Sequence, residues 1–203
     1  GTKRKIVFMK YYIATSREIG ERCRELARSN PIEGWVEGTL EDCDILISIM
    51  YEELFTENFL AGKRAYNFHP GILPQYRGSG AFSWAILNGD HTFGITIHEM
   101  DKSIDHGKII YIGTQPIENT DTAENLYQKG MEMIFEGFQK FFHKLLTEDY
   151  EAKEQNETLS RMYYRKDLEK AKDLTKFVRA FTFRGKENAY YYDRTGKRIE
   201  LVY

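Results

Sequence analysis

Residues 44–50 read Asp-Ile-Leu-Ile-Ser-Ile-Met, with apolar side chains at successive rather than alternate positions. A strand of that kind has both faces covered, as a central strand does in a parallel sheet with helices on either side. The flanking segments agree. Ile6–Met9 reads as a first buried strand, and Thr15-x-x-Glu18 supplies a capping box for a helix in which Ile19, Cys23, Leu26 and Ala27 recur at helical spacing until Asn30-Pro31. After the central strand, Thr56–Leu60 predicts a brief helix closed by Gly62, and Ala65–Phe68 returns as the next strand. This βα alternation predicts an α/β chain with a doubly wound, mostly parallel sheet and flanking helices.

The pattern changes after residue 80. Ala81, Trp84, Ala85 and Leu87 form a helical stripe that Asn88-Gly89 terminates. Phe93, Ile95 and Ile97 then alternate with Thr92, Thr96 and His98, the period-two spacing of a half-exposed strand, and Lys108–Ile112 is placed to pair with it antiparallel. From Asp121, with Glu124 as cap partner, a long helix carries Met131, Ile134, Phe135, Phe138, Phe141, Phe142 and Leu145 on one face, which reads as core packing. Charged residues from Thr147 to Thr158 read as a linker, so two parts are expected: residues 1–150 as the main core and 151–203 as a small appendage. In the latter, Leu174, Phe177, Val178 and Phe181 keep helical spacing. Tyr190-Tyr191-Tyr192, a turn at Gly196 and Ile199–Val202 predict a hairpin.

Composition narrows the function by exclusion. The 203 residues carry a formal net charge of −2 and a sequence pI near 6.3, so the concentrated positive charge that a nucleic-acid partner calls for is not expected. Two cysteines, Cys23 and Cys43, supply neither a disulfide framework nor a thiolate cage, and no metal is expected. No apolar run nears the roughly 20 residues of a membrane span, and the opening residues are too short a charged-then-apolar run for a signal peptide. The expectation is a cytoplasmic protein with no membrane partner.

The chemistry-bearing residues gather in two segments, Asn67-Phe68-His69-Pro70-Gly71-Ile72-Leu73-Pro74-Gln75-Tyr76-Arg77-Gly78 and Asp105-His106-Gly107. On a strand, Asn67 and His69 share a face while Phe68 turns to the other. Pro70 stops the ladder and leaves both polar groups at the carboxyl end of the strand, where open α/β sheets place ligands. An amide, an imidazole and a carboxylate suit acyl transfer to an amine. Asn67 can donate to a developing oxyanion, His69 can take the amine proton or bond the same oxygen, and Asp105 can hold the imidazole or a water and route the proton to the leaving nitrogen. Asp101 is a rival carboxylate, and His98 and His106 are rival imidazoles.

Taken together, Asn67-x-His69, Leu73-Pro74-x-Tyr76-Arg77-Gly78, Trp84 to Asn88-Gly89, Gly94-Ile95-Thr96-Ile97-His98 and Asp105-x-Gly107 resemble the folate-dependent formyltransferase family. That family includes glycinamide ribonucleotide formyltransferase, methionyl-tRNA formyltransferase and the sugar N-formyltransferases. The resemblance runs over residues 44–117 and ranks Asp105 above its rivals. It implies a triad of Asn67, His69 and Asp105, N10-formyltetrahydrofolate as cosubstrate, and pterin contacts chiefly from backbone groups of the Ile49-Met50-Tyr51 turn and of the Asp101–Asp105 loop, which holds Ile104. Tyr76, Arg77 and Gly78 are the substrate-binding candidates, with Arg77 either meeting a phosphate or anchoring its own loop. Only 66 residues precede Asn67, fewer than relatives usually have, so the resemblance implies an abbreviated Rossmann-like sheet with a small C-terminal helix-plus-hairpin appendage.

The acceptor is a separate question. The ribonucleotide enzyme has a glycine-rich phosphate loop after its first strand, where this chain reads Lys10-Tyr11-Tyr12-Ile13-Ala14-Thr15. The tRNA enzyme adds a larger basic domain, whereas the tail here is short and the chain slightly acidic. The stretch Arg179-Ala180-Phe181-Thr182-Phe183-x-Gly185-x-Glu187-Asn188-Ala189-Tyr190-Tyr191 resembles the end of sugar N-formyltransferases. The resemblance thus favours a nucleotide-diphosphate amino deoxysugar as partner, of the kind used in lipopolysaccharide O-antigen biosynthesis, and the apolar tail and aromatic helix leave room for a homodimer. The alternatives are another folate-dependent formyl transfer or hydrolysis, of glycinamide ribonucleotide or methionyl-tRNA type, and a catalytically silent folate- or nucleotide-sugar-binding module.

Overall fold

From its first described strand the chain alternates sheet and helix. The computed structural model describes residues 7–170, 173–192 and 195–202. In chain order the elements are β1 (Met9–Ala14), α1 (Glu18–Ser29), β2 (Trp35–Glu37), β3 (Ile45–Ile49), α2 (Glu57–Leu60), β4 (Arg64–His69), β5 (Arg77–Gly78), α3 (Ala81–Asn88), β6 (Thr92–Glu99), β7 (Ile109–Pro116), α4 (Ala123–Thr147), β8 (Met162–Tyr163), α5 (Leu174–Phe181), β9 (Ala189–Tyr192) and β10 (Arg198–Leu201).

A six-stranded sheet runs in the order β2-β1-β3-β4-β6-β7. β1 pairs in parallel with β2 and with β3, and β3 in parallel with β4. Met100 N–H donates to Ala65 O, and Glu99 N–H to Lys108 O. Each contact joins the end of one strand to the start of its neighbour, so β6 runs antiparallel to β4 and β7. The expected α/β, mostly parallel architecture is the one observed. β3 is central because of its composition, with all of Ile45–Ile49 buried.

The described residues fall into two compact units. One comprises residues up to His69 with Ile97–Tyr111 and Ile134–Glu154, and the other Pro70–Thr96, Ile112–Met133 and residues from Gln155 on. In the first, the aromatic residues of α4 act as core. Phe138 packs on Phe68 with ring centroids 6.0 Å apart and stacks on Phe142 at 4.7 Å, and Tyr11 meets Phe142 edge-on at 5.1 Å. In the second, Phe82 meets Phe93 edge-on at 5.4 Å, and Ile95, Leu126, Leu168 and Ala180 are buried. This unit also holds the β5–β8 pair and the expected hairpin of β9 and β10.

Several local expectations are corrected. Ile6 lies outside the described residues, Val7 and Phe8 are exposed, and the first strand begins only at Met9. Its inward positions are Tyr11 and Ile13, so Lys10–Ala14 is strand and not the loop after one. That removes the basis for comparing this segment with a phosphate loop. The Thr15/Glu18 capping box does not form: Thr15 Oγ1 accepts from Arg17 N–H at 3.2 Å, and the N-cap of α1 is Arg17, with no side-chain cap bond. α4 is capped one residue later than expected. Thr122 Oγ1 accepts from Asn125 N–H at 3.2 Å, and Asn125 Oδ1 accepts from Thr122 N–H at 3.0 Å, a reciprocal box with Asn in place of Glu. β6 is not half-exposed, since Phe93–His98 are all buried; Thr96 makes that possible by donating to Gly71 O at 2.7 Å. The charged segment expected as a linker is pinned, through a bridge between Ile109 and Lys153 and a buried Gln155.

Candidate active site

β4 delivers the first two polar groups as its period requires. Phe68 is fully buried against Phe138, and Asn67 and His69 project together from the opposite face at the strand's carboxyl end. The third group comes from the β6–β7 connection. Glu99 N–H donates to Lys108 O at 2.9 Å and closes the base of that loop. Gly107 makes the closure possible, because a Cβ there would stand 1.7 Å from Glu99 O. Inside the loop, Asp101 Oδ1 accepts from Ser103 N–H at 2.8 Å, and Asp101 Oδ2 lies 2.7 Å from His106 Nδ1. Asp105 is thereby presented in left-handed backbone at φ 51°, a conformation that costs a non-glycine residue about 1–3 kcal/mol and recurs at ligand sites.

Asp105 Oδ1 is the common point of the site. It lies 3.4 Å from His69 Nδ1 and 3.5 Å from Asn67 Nδ2. All three predicted side chains therefore meet, inside the first unit. The side chains of His69 and Asp105 keep only 4% and 10% of their surface exposed, so charge placed between them is poorly screened by water.

A fourth group, ranked below the triad in the sequence, belongs to the same cluster. His98 Nδ1 is 2.7 Å from Glu99 O. A carbonyl only accepts, so Nδ1 carries the proton and Nε2 is left as an acceptor. Asn67 Nδ2 lies 3.2 Å from that Nε2 and donates to it, which fixes the orientation of the Asn67 amide. The second amide hydrogen points to Asp105 Oδ1 across the longer 3.5 Å. The sequence offered His98 as a rival imidazole and ranked it below the triad because Asp105 fits the family pattern. The signal that marks it is the Gly94–His98 block itself.

The other predicted residues are placed as follows. Ile49 is buried in β3. Met50 takes left-handed backbone at φ 52° and its carbonyl accepts from Ser16 N–H at 3.1 Å. Tyr51 stacks on Phe55 at 5.1 Å, and Phe55 on Phe59 at 5.3 Å. Tyr51, Phe55, Phe59 and Met100 pack together on the buried Ala14, Cys43, Leu46 and Ala65. Tyr51, from the first segment expected to hold a pterin, and Met100, which precedes the second, thus belong to one aromatic and apolar cluster. Ile104 is exposed. In the second unit, Tyr76 donates its hydroxyl to Asp90 Oδ2 and accepts from Asn88 Nδ2 at 3.0 Å. Burial, helped by Asp90, pushes that phenol well above its ordinary value. The buried Arg77 guanidinium is held by Gln155 Oε1 at 2.8 Å and Glu157 Oε1 at 2.7 Å. Of the two roles foreseen for Arg77, loop anchoring is the one its contacts serve. Gly78 (φ 93°) lies so close to Tyr163 O that a Cβ would stand 2.1 Å from it.

Comparisons with known proteins bear on family and fold. A family model described as formyl transferase matches residues 33–140. The GDP-perosamine N-formyltransferase of Brucella melitensis biotype 1 is 34% identical over 134 residues, covering 59% of this chain and 52% of that protein. The chain spans about half or less of the length of the first curated relatives it matches. Among solved structures, a 4-N formyltransferase from Francisella tularensis superposes with TM-score 0.84 at 19% identity, over 96% of this chain and 97% of that one. An N-formyltransferase from Helicobacter canadensis, solved with folinic acid and dTDP-3-aminofucose, superposes with TM-score 0.76 at 22% identity, over 87% and 82%. At these identities the likeness is one of fold.

Proposed function

This chain belongs to the formyl transferase family, and we propose that it transfers a formyl group from N10-formyltetrahydrofolate to the amino group of a nucleotide-linked amino deoxysugar. The observation that carries the reading is the meeting of Asn67, His69 and Asp105 around one carboxylate oxygen. The sugar acceptor is supported by the relative that formylates GDP-perosamine and by the neighbour solved with an amino-sugar nucleotide.

When bound, the folate supplies the formyl carbon; transfer replaces its bond to N10 by a bond to the acceptor nitrogen, with one proton leaving the acceptor and one reaching N10. The Asn67 amide donates to the formyl oxygen as negative charge develops there. Its hydrogen toward His98 Nε2 stays in place at 3.2 Å, and the one spanning 3.5 Å to Asp105 is the one redirected. A donor of this kind lowers the barrier by about 3–4 kcal/mol. His69 accepts the amine proton, and Asp105, at 3.4 Å, stabilises the imidazolium that results. The same pair returns a proton to the leaving nitrogen. Ile49–Tyr51 and the loop of Asp101 and Ile104 would hold the pterin, beside the apolar cluster of Tyr51, Phe55 and Met100.

The division into a catalytic core of residues 1–150 and an appendage of 151–203 belongs to the same proposal, as do a cytoplasmic location and a homodimer. Exposed Tyr192 and Val202 support the dimer, and light scattering checks it. Among the described residues, no helix is long and apolar enough to cross a membrane. Incubation with the formyl donor and a panel of nucleotide-linked amino sugars should give a product heavier by one carbonyl group. Tight folate binding with no product across the panel would overturn the reading in favour of a silent binding module.

A further inference from the structure

On the face of the sheet turned away from the site, the first unit holds a polar network that none of the chemistry above uses. Side chains alternate along a strand, so Tyr66 on β4 and Glu99 on β6 lie on the face that α4 covers, opposite Asn67, His69 and His98. Tyr66 is buried. Its hydroxyl lies 2.8 Å from that of Tyr150, and the two rings meet edge-on at 5.7 Å. Tyr150 in turn donates to Glu99 Oε1 at 3.1 Å. A phenol has one proton to give, so Tyr66 is the donor in the contact between the two hydroxyls. Burial pushes both phenols above their ordinary value, which keeps both protons in place. The network therefore has a direction, from Tyr66 through Tyr150 to Glu99.

Glu99 is the informative residue. It ends β6, and it is held from three sides. Its side chain accepts from Tyr150, its N–H donates to Lys108 O at 2.9 Å, and its carbonyl accepts from His98 Nδ1 at 2.7 Å. That last bond sets the His98 tautomer whose Nε2 receives the Asn67 amide at 3.2 Å. An unbroken path of hydrogen bonds thus runs from the helix-covered face to the catalytic amide, and it crosses the sheet through one peptide unit. Tyr150 is itself well anchored. Glu148, in left-handed backbone at φ 57°, follows the last residue of α4, and Asp149 N–H returns to Lys144 O at 3.0 Å.

We propose that Tyr150 is a positioning residue for the reaction: by holding the Glu99 side chain on the helix-covered face it fixes the carbonyl that orients His98, and through His98 the Asn67 amide. The inference rests on the formyl-transfer reading and adds a residue that serves it from outside the site. Tyr150→Phe removes one hydroxyl and keeps the ring against Tyr66. Because small misplacements caused far from the reacting atoms are costly, this variant should lower kcat about tenfold with KM for the formyl donor unchanged. Glu99→Ala should match it, and the double variant should be no slower than either single one. Glu99→Gln keeps an acceptor for the phenol and should recover most of the rate. Tyr66→Phe is the control. It too deletes a buried hydroxyl and should lower the melting temperature comparably, yet it leaves Tyr150 donating to Glu99, so kcat should stay within about twofold of wild type. Nitrogen NMR of the imidazoles reads the coupling without any acceptor: His98 should keep its proton on Nδ1 in wild type and Tyr66→Phe, and should admit the other tautomer in Tyr150→Phe. An unmoved His98 signal in Tyr150→Phe, or an equal loss of kcat in the two phenylalanine variants, overturns the proposal. A protein that formylates no acceptor loses the proposed reaction, and the His98 signal still decides this inference.

Discussion

Asn67 is oriented by a histidine that donates from its other nitrogen to a backbone carbonyl, and that relay of donors sets the expected behaviour of the site. Asn67→Ala should lower kcat by about 10²- to 10³-fold, as removal of one oxyanion donor does elsewhere, with the folate dissociation constant nearly unchanged. His98→Ala should have a smaller effect on kcat, because it frees the amide to rotate without removing it; single-turnover kinetics of the two variants checks the order. A second prediction concerns acid. Burial alone would raise the Asp101 pKa, but hydrogen bonds from His106 and Ser103 N–H outweigh it and hold the carboxyl below its ordinary value. A carboxyl depressed in the folded state stabilises it above the unfolded value and loses that contribution as pH falls through the folded one. The loop of residues 100–108 should therefore loosen below about pH 4 by amide exchange, and Asp101→Asn should remove that step. Asn67 and His69 were legible from strand periodicity and Asp105 from the motif. His98 was not, because a buried strand with Thr96 satisfied internally has the same alternation as a half-exposed one.

Elements were legible where apolar spacing alone decides them and less so where a polar residue or a close approach does. The β3 run and the α4 face appear as read. β1 was displaced toward Ile6–Met9 because Lys10, Tyr11 and Tyr12 disguise a strand whose inward positions are Tyr11 and Ile13. The cap of α4 fell one residue off because Asn125, not Glu124, reaches back to the chain. The β6–β7 turn depends on contact distances no spacing reveals. Gly107→Ala would drive a methyl into Glu99 O, so it should destabilise the protein by about 1–3 kcal/mol in thermal unfolding and lower formyl transfer more than folate binding. A variant with wild-type stability and activity would show that the loop base is not closed as described.

At the scale of the molecule, the mostly parallel sheet followed from the βα alternation, whereas the integration of the 147–158 stretch did not. Its charged composition hides Gln155, which satisfies the buried Arg77. Arg77→Ala should lower the melting temperature through loss of packing and of that network, with a smaller effect on kcat. Both cysteines are buried, and burial pushes the Cys23 thiol up to about 12, so native protein should resist alkylation at pH 8 and expose both thiols only on unfolding. The most direct measurement is the single-turnover rate of formyl transfer to an amino-sugar nucleotide in Asp105→Asn, taken beside its folate affinity. The rate should fall by at least about 10²-fold while the affinity holds; an unchanged rate would contradict the assignment of the chemistry to the point where Asn67, His69 and Asp105 meet.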